Sequence, residues 1–265
     1  MTILQAIILG LVQGITEFIP VSSSGHLLLF HHLLGTAGNG LAFDVALHAG
    51  TLGALVLYFG KDLWLYLKSL FVKSDKTGLT IMLIAATVPA AIIGYLLESA
   101  AESTFRSVRL VSINMLVFGL IMLAAEHYYK KRKAHSNLEQ TTAKQAMYMG
   151  FAQALAVVPG VSRSGSTISA GLLAGLDRVA ATRFSFLLGI PITAGAIFKV
   201  MIGSGTLHTI AQQQTIFLTG VLTAFVSGMF AIRFMLKYLS NHGLHIFAYY
   251  RIVLGISLIL LFSLR

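Results

Sequence analysis

Six stretches of the chain are long and apolar enough to cross a hydrocarbon layer, roughly residues 41–60, 79–97, 108–125, 184–203, 215–235 and 247–264. A helical span takes about 20 mostly apolar residues. Two further regions are apolar but interrupted. Residues 3–34 form two short arms around the polar cluster of "VQGITEFIPVSSSGH", and residues 146–175 do the same around "PGVSRSGST". Each arm is about 10–13 residues, too short to cross alone. Short arms broken by Gly and Pro predict re-entrant hairpins that enter and leave on one face. The expected fold is therefore all-α and integral to a membrane, with six transmembrane helices and two re-entrant hairpins.

Composition agrees. Hydrophobic residues make up 56% of the 265 positions and charged residues only 11%, and mean hydropathy is +0.82. A soluble domain of this length needs more charge to cover its surface. The absence of cysteine rules out disulfides, thiolate nucleophiles and Cys-type zinc sites. The net charge of +10 does not imply nucleic acid, because much of the Lys/Arg lies between apolar segments. Under the six-span scheme one face receives Lys61, Lys68, Lys73, Lys76, Lys130, Lys131, Arg132, Lys133, Lys144, Arg233 and Lys237. The other receives Glu98, Glu102, Arg106 and Arg109, then the uncharged "GSGTLHTIAQQQ" after Lys199. The first face is then cytoplasmic and both termini lie outside. Met1–Ile3 carry no basic side chain and no A-x-A-like site follows, so no cleavable signal is expected. The runs "KSLFVKSDK" and "EHYYKKRKAH" (126–135) read as solvated cytoplasmic loops, with Trp64, Tyr66, Tyr128 and Tyr129 as interfacial aromatics.

Displacing the sequence by 140 superimposes the two interrupted regions. Gly10 falls on Gly150, Gln13 on Gln153, Ser22 on Ser162, Ser24 on Ser164 and Gly25 on Gly165. An odd number of spans separates the copies, so the second enters from the opposite face. The chain is expected to be one membrane domain, with repeat 1 at about 1–125, a cytoplasmic loop at about 126–145 and repeat 2 at about 146–265. Such inverted repeats bring broken helices together near the midplane, with helix N-termini facing an anion.

The two clusters hold complementary chemistry. "SSSGH" precedes the apolar run His26–Leu34 as a cap would, and "SRSGST" precedes Ile168–Leu176. Both offer hydroxyls and free N–H groups at a positive helix end, the makeup of a phosphate site. Arg163 adds a permanently charged fork suited to phosphate oxygens. Gln13 and Glu17 share a helix face. A carboxylate at membrane depth marks function; Glu17 either holds a divalent cation or deprotonates a neighbour. His26 either activates a serine or itself accepts a phosphoryl group. Gln153 is read as a helix-to-helix hydrogen bond, and Asp44 with His48, in "FDVALHAG", as an interfacial pair rather than cavity lining.

These residues resemble the integral-membrane undecaprenyl-diphosphate phosphatases associated with bacitracin resistance. The family's two motifs stand here as Gln13-Gly-Ile-Thr-Glu17 and Pro159-Gly-Val-Ser-Arg-Ser-Gly-Ser-Thr167. The resemblance implies hydrolysis of a C55 polyprenyl diphosphate to the monophosphate, recycling the lipid carrier for peptidoglycan in the bacterial inner membrane. It also implies a site open to the outer face and dependence on Mg²⁺ or Ca²⁺. By resemblance Glu17, Ser23, His26 and Arg163 form the catalytic set, with Glu17 the metal ligand. Gln13, Ser22, Ser24, Ser162, Ser164 and Thr167 then surround the phosphates. Ser23 is favoured as nucleophile with His26 as base or orienter. Partners are the polyprenyl diphosphate and membrane lipid, with a homodimer left open. A secondary transporter or flippase for an anionic lipid is the alternative, since inverted repeats with broken helices are common in carriers. A channel is weaker, for nothing resembles a filter. The acid phosphatases that use Ser-Gly-His and Ser-Arg do not match: their second His should fall near 168–170, where this chain reads Ile-Ser-Ala.

Overall fold

Thr2 starts the first helix by a reciprocal cap. Its hydroxyl accepts from the Gln5 backbone N–H, while the Gln5 side chain accepts from the Thr2 N–H, which satisfies two otherwise open donors. In this computed structural model, which describes residues 1–36, 40–97, 107–132, 134–202 and 206–263, α1 then runs over Ile3–Phe18. It stops at Ile19, held extended because the ring of Pro20 disfavours helical backbone before it. α2 (Ser23–Leu34) begins at Ser22, whose φ is 76° and whose hydroxyl accepts from the Gly25 N–H. It ends at Gly35, φ 66°, where the missing Cβ makes a left-handed turn inexpensive. Gln5 Nε2 donates to the Leu34 carbonyl at 3.1 Å, tying the start of this hairpin to its finish.

The chain continues through α3 (Gly40–Tyr58), bends by 76° into α4 (Gly60–Ser69), and passes through α5 (Thr77–Leu96) and α6 (Val108–Lys131). α7 (Ala143–Leu155) and α8 (Arg163–Ala174) form a second hairpin, followed by α9 (Arg178–Ile202), the short α10 (Thr206–Gln212), α11 (Gln214–Asn241) and α12 (His245–Ser263). The second hairpin reproduces the first at the same offset of 140. Thr142 and Gln145 form the same reciprocal cap, and Ser162 at φ 74° caps Gly165. Gly175 at φ 96° closes α8, and Gln145 Nε2 reaches the Ala174 carbonyl at 3.1 Å. A serine at positive φ is strained, and the same strain at both hairpin tips marks them as shaped for a purpose other than stability.

Packing follows the same correspondence. α1 lies on α11, where a Cβ on Gly10 would stand 2.7 Å from the Gly220 carbonyl oxygen. α7 lies on α5, where Gly150 meets the backbone of Ala86 just as closely. α6 and α12 approach through Gly119 and Gly255. Small residues at such crossings let apolar helices reach van der Waals contact, the main attraction available where lipid is as oily as the helix.

By length and composition α5, α6, α9 and α11 can cross a membrane, and a fifth span exists if the bent pair α3–α4 counts as one. The sixth expected window lies in α12, whose apolar stretch His245–Leu261 is shorter than the others. Glu98, Glu102, Arg106, Lys133 and residues 203–205, used above to assign faces, lie outside the described residues. The expectation of a solvated loop over 126–135 is corrected: α6 continues to Lys131, and Glu126 is fully buried. Arg178 neutralises its carboxylate while stacking 4.2 Å from the Tyr129 ring, and the Leu244 N–H donates to it at 3.1 Å. Tyr66 is buried rather than interfacial, whereas Trp64 and Tyr128 are exposed.

Candidate active site

The two hairpin tips meet on Arg251 of α12. This side chain is completely buried and donates to the carbonyl oxygens of Gly160 at 2.7 Å, Val161 at 3.0 Å and Pro20 at 3.4 Å. Asn114 and Met115 of α6 supply two more carbonyls at 3.4 Å. Five donors in a planar fork suit such a cluster, because chain reversals at both tips leave carbonyls outside any helix. A further link crosses the tips, from Ser164 Oγ to the Ile19 carbonyl at 3.5 Å.

Three residues before the first tip stands Glu17, and four elements converge on its carboxylate. Gln13, one turn earlier on α1, donates Nε2 to Oε2 at 3.1 Å. Ser23, first residue of α2, donates its hydroxyl to the same oxygen at 2.7 Å. Arg163, first residue of α8, places Nη2 2.6 Å from Oε1 and Nη1 3.3 Å from the Ser185 carbonyl of α9. Gly189 makes room for that guanidinium, since a Cβ there would strike it. From α3, His48 brings Nε2 to 3.6 Å from Oε2. Glu17 is 8% exposed. An ion so far from water persists only when paired and hydrogen-bonded on most of its lone pairs, and here it is.

The structure thus brings Gln13, Glu17, Ser23 and Arg163 together across 146 residues of sequence. The other expected site residues are placed differently. His26 does not bond Ser23. Its Nδ1 donates to the Ser22 carbonyl at 2.8 Å, so its Nε2 accepts from the Tyr250 hydroxyl at 2.7 Å. Ser22 and Ser162 spend their hydroxyls as helix caps, with Ser24 and Ser164 at 3.3 and 3.4 Å from them. Both serines lie in the first helical turn rather than ahead of it. Thr167 is fully buried and bonds Ser185 of α9 at 2.6 Å, so it braces the hairpin. Gln153 is buried with neither amide atom hydrogen-bonded, in place of the expected helix-to-helix bond. Asp44 does not turn its carboxylate to His48 as the expected pair would: it is buried and holds His31 Nε2 at 2.8 Å, in a link that also joins Thr36 to His31 Nδ1.

Four contributors escaped the sequence reading: His48, Ser185, Tyr250 and Arg251. Arg251 had a usable signal, being the sole charge in the run "FAYYRIVLGISL", and intramembrane arginines mark function by default. Ser185 and Tyr250 had none. His48 was visible one helical turn after Asp44 and was read with it as an interfacial pair, so its approach to Glu17 was missed.

A buried carboxylate bonded to a hydroxyl, and a guanidinium with N–H groups to spare at two helix starts, is suited to holding and attacking a phosphorylated ligand. Residues 6–257 match the profile of the bacitracin resistance protein BacA family. The chain is 46% identical to the undecaprenyl-diphosphatase of Rubrobacter xylanophilus, over 96% of each chain. It is 44% identical to that of Moorella thermoacetica over the full length of both. With that of Gemmatimonas aurantiaca it shares 43% identity, over 97% of this chain and 96% of the relative. Matched over nearly its whole length, the chain belongs to the bacitracin resistance protein BacA family.

Proposed function

We propose that this protein is an undecaprenyl-diphosphatase, hydrolysing the lipid diphosphate to the monophosphate and inorganic phosphate. The observation that carries the reading is Arg163 and Ser23 meeting on one buried carboxylate, Glu17, in a chain so similar to proteins of that name. Ser23 is the nucleophile. As its oxygen bonds the terminal phosphorus, Glu17 takes the hydroxyl proton along the existing hydrogen bond. The bond from phosphorus to the bridging oxygen breaks and undecaprenyl monophosphate leaves. Water then cleaves the phosphoserine, restoring the hydroxyl and releasing phosphate. Two of the five Arg163 N–H groups are engaged among the described residues, on Glu17 and Ser185, which leaves three for the phosphate oxygens. His26, held at both nitrogens, positions the start of α2.

A divalent cation fits this site. Glu17, the carboxylate on which both hairpins converge, would hold the ion, and the Gln13 amide, whose Nε2 donates to it, would orient the carboxylate. No three His, Asp or Glu side chains converge among the described residues. The remaining ligands are therefore water and substrate phosphate, a common share for Mg²⁺. When bound, the ion supplies positive charge to the phosphate oxygens.

The membrane arrangement we favour is six spans with two re-entrant hairpins, in inverted repeats that start at Thr2 and Thr142. The matched caps at one offset and the interchange of α1–α11 with α7–α5 contacts support it. Ion pairs Asp62–Arg183, Lys76–Glu139 and Glu126–Arg178 belong to the Lys-rich side. That side is cytoplasmic, with both termini and the site's mouth outside, in the bacterial inner membrane.

The prenyl tail would lie in an apolar groove of about 660 Å³ between α1 and α11, lined by Ile15, Ile19, Val226, Phe230 and Phe234. Ile19 belongs both to this groove and to the first hairpin tip, so head and tail sites are continuous. Filling the groove with Val226→Trp should raise KM for undecaprenyl diphosphate about tenfold, the equivalent of roughly 1.4 kcal/mol of lost tail burial. A short-chain diphosphate should be turned over as by the unaltered protein. Equal effects on both substrates would place the tail elsewhere.

The decisive assay is phosphate release by detergent-solubilised protein, with and without chelator. An enzyme releases phosphate from undecaprenyl diphosphate without any sealed compartment, and a carrier does not. Release that chelator abolishes and Mg²⁺ restores is the expected result; binding without release would favour transport.

A further inference from the structure

α4 is attached to the rest of the protein along one side. Ser69 Oγ lies 2.8 Å from Thr80 Oγ1 of α5, Asp62 accepts from Arg183 of α9 at 2.6 Å, and Tyr66 is buried. These three positions share one face of the helix. The opposite side carries Lys61, Trp64, Lys68 and, in the turn that follows, Phe71, spaced three, four and three residues apart as one stripe. Trp64 is 68% and Phe71 87% exposed, and both lysines are exposed with them.

The stripe alternates cation and aromatic ring, and the chain itself does not answer its charge. Of the acids nearby, Asp62 is turned to Arg183 and Glu139 holds Lys76. That leaves the exposed Asp75 against Lys61, Lys68 and the exposed Lys73. Water alone gives no reason to display Trp and Phe, and acyl chains alone give none to display ammonium groups. The boundary between headgroups and acyl chains takes both. The backbone sets α4 at that level. α3, with 19 residues, is about 28 Å long, close to the hydrocarbon thickness, so α4 is not needed to complete a span. A bend of 76° from a spanning α3 then lays α4 nearer the plane of the membrane surface than its normal.

We propose that α4 and its following turn dock anionic phospholipid headgroups in the leaflet on the Lys-rich side. Trp64 and Phe71 sit at the acyl boundary, and Lys61, Lys68 and Lys73 meet the phosphates. The inference goes beyond the phosphatase reading and shares with it only the membrane arrangement. Charge selects the lipid class. A zwitterionic headgroup brings its own ammonium beside the phosphate, whereas a net negative one leaves its charge for the lysines. A soluble acidic protein would answer the lysines but not two exposed aromatic rings at the level where a span ends. The face is separate from the chemistry, since none of these side chains contacts Glu17, Ser23 or Arg163.

Trp64 is the only tryptophan of the chain, so intrinsic fluorescence reports on this face directly. The full chain is placed in vesicles of equal parts phosphatidylcholine and phosphatidylglycerol, with the acyl chains of one lipid or the other brominated. Quenching of Trp64 by brominated phosphatidylglycerol should exceed that by brominated phosphatidylcholine about twofold or more, because the lysines concentrate anionic lipid around the helix. The excess should disappear in about 1 M salt, where charges are screened within about 3 Å. It should disappear likewise when Lys61→Gln, Lys68→Gln and Lys73→Gln are combined. Equal quenching by the two lipids in the unaltered protein would overturn the proposal, and that result needs no variant to fold. Quenching by neither would put Trp64 outside the bilayer, overturning the proposal in favour of a soluble partner for this face. An excess that survives the triple variant would overturn it as well. Phosphate release in detergent should be unchanged in the triple variant. No release from the unaltered protein, alongside the expected quenching, would strike the phosphatase reading and leave lipid docking standing.

Discussion

Arg163→Ala is expected to lower phosphate release from undecaprenyl diphosphate by about a thousandfold. Phosphoryl transfer depends on positioning and on stabilising charge, and loss of one well-placed cation typically costs that much. The substitution also strips Glu17 of its ion pair, at 2.6 Å in a site where the two side chains are 13% and 8% exposed. Leaving a buried carboxylate unpaired costs about 3 kcal/mol, so the unfolding midpoint should fall as well. The two effects separate in a double variant. Adding Glu17→Gln removes the stranded charge, so stability should return while phosphate release stays lost. Arg163→Lys should rescue little, because a compact ammonium lacks the planar fork whose separate nitrogens reach Glu17 and the Ser185 carbonyl. Near-normal turnover in Arg163→Ala would remove this residue from the chemistry and, with it, the proposed mechanism.

The second large effect is expected from Arg251→Met. Methionine fills similar space but withdraws every donor from the carbonyls of Pro20, Gly160 and Val161. Buried carbonyls without donors cost about 1–3 kcal/mol each, partly offset because a buried cation is also removed. A net loss of about 3 kcal/mol in unfolding free energy is expected. Activity should suffer more than stability suggests. Ser23 and Arg163 stand just beyond the two tips that Arg251 joins, and a displacement of about 1 Å at a reacting group can cost a hundredfold in rate. Arg251→Lys should keep more of both, since an ammonium still reaches some of the oxygens. If Arg251→Met kept full turnover, the tips would be held by other contacts and the role of α12 as their brace would be wrong.

Much of this was legible along the chain, for identifiable reasons. Pro20 and Pro159 interrupt apolar arms too short to cross, so both hairpin turns were foreseeable. The 140-residue register was visible in paired glycines and serines. Its best markers passed unnoticed, namely Thr2 with Thr142, Gln5 with Gln145 and Gly35 with Gly175, because caps are recognised by the bonds they make. Glu17 and Arg163 were expected in one pocket because polar groups stranded in apolar sequence turn away from lipid, but not as an ion pair with each other.

Other features had no local signature. Tyr250 meets His26 across 224 residues, and nothing in either segment names the other. Glu126 looked like part of a charged loop until Arg178 and the Leu244 N–H closed over it. His48 looked interfacial because Glu17 lies on another helix. Sequence alone determined where the chain could be helical, where it had to break and which side chains were too polar to face lipid. Which of those polar groups answer one another was decided only by tertiary packing: inside a membrane an unmet charge must find its partner in the protein, and the helices that supply it are brought alongside by folding.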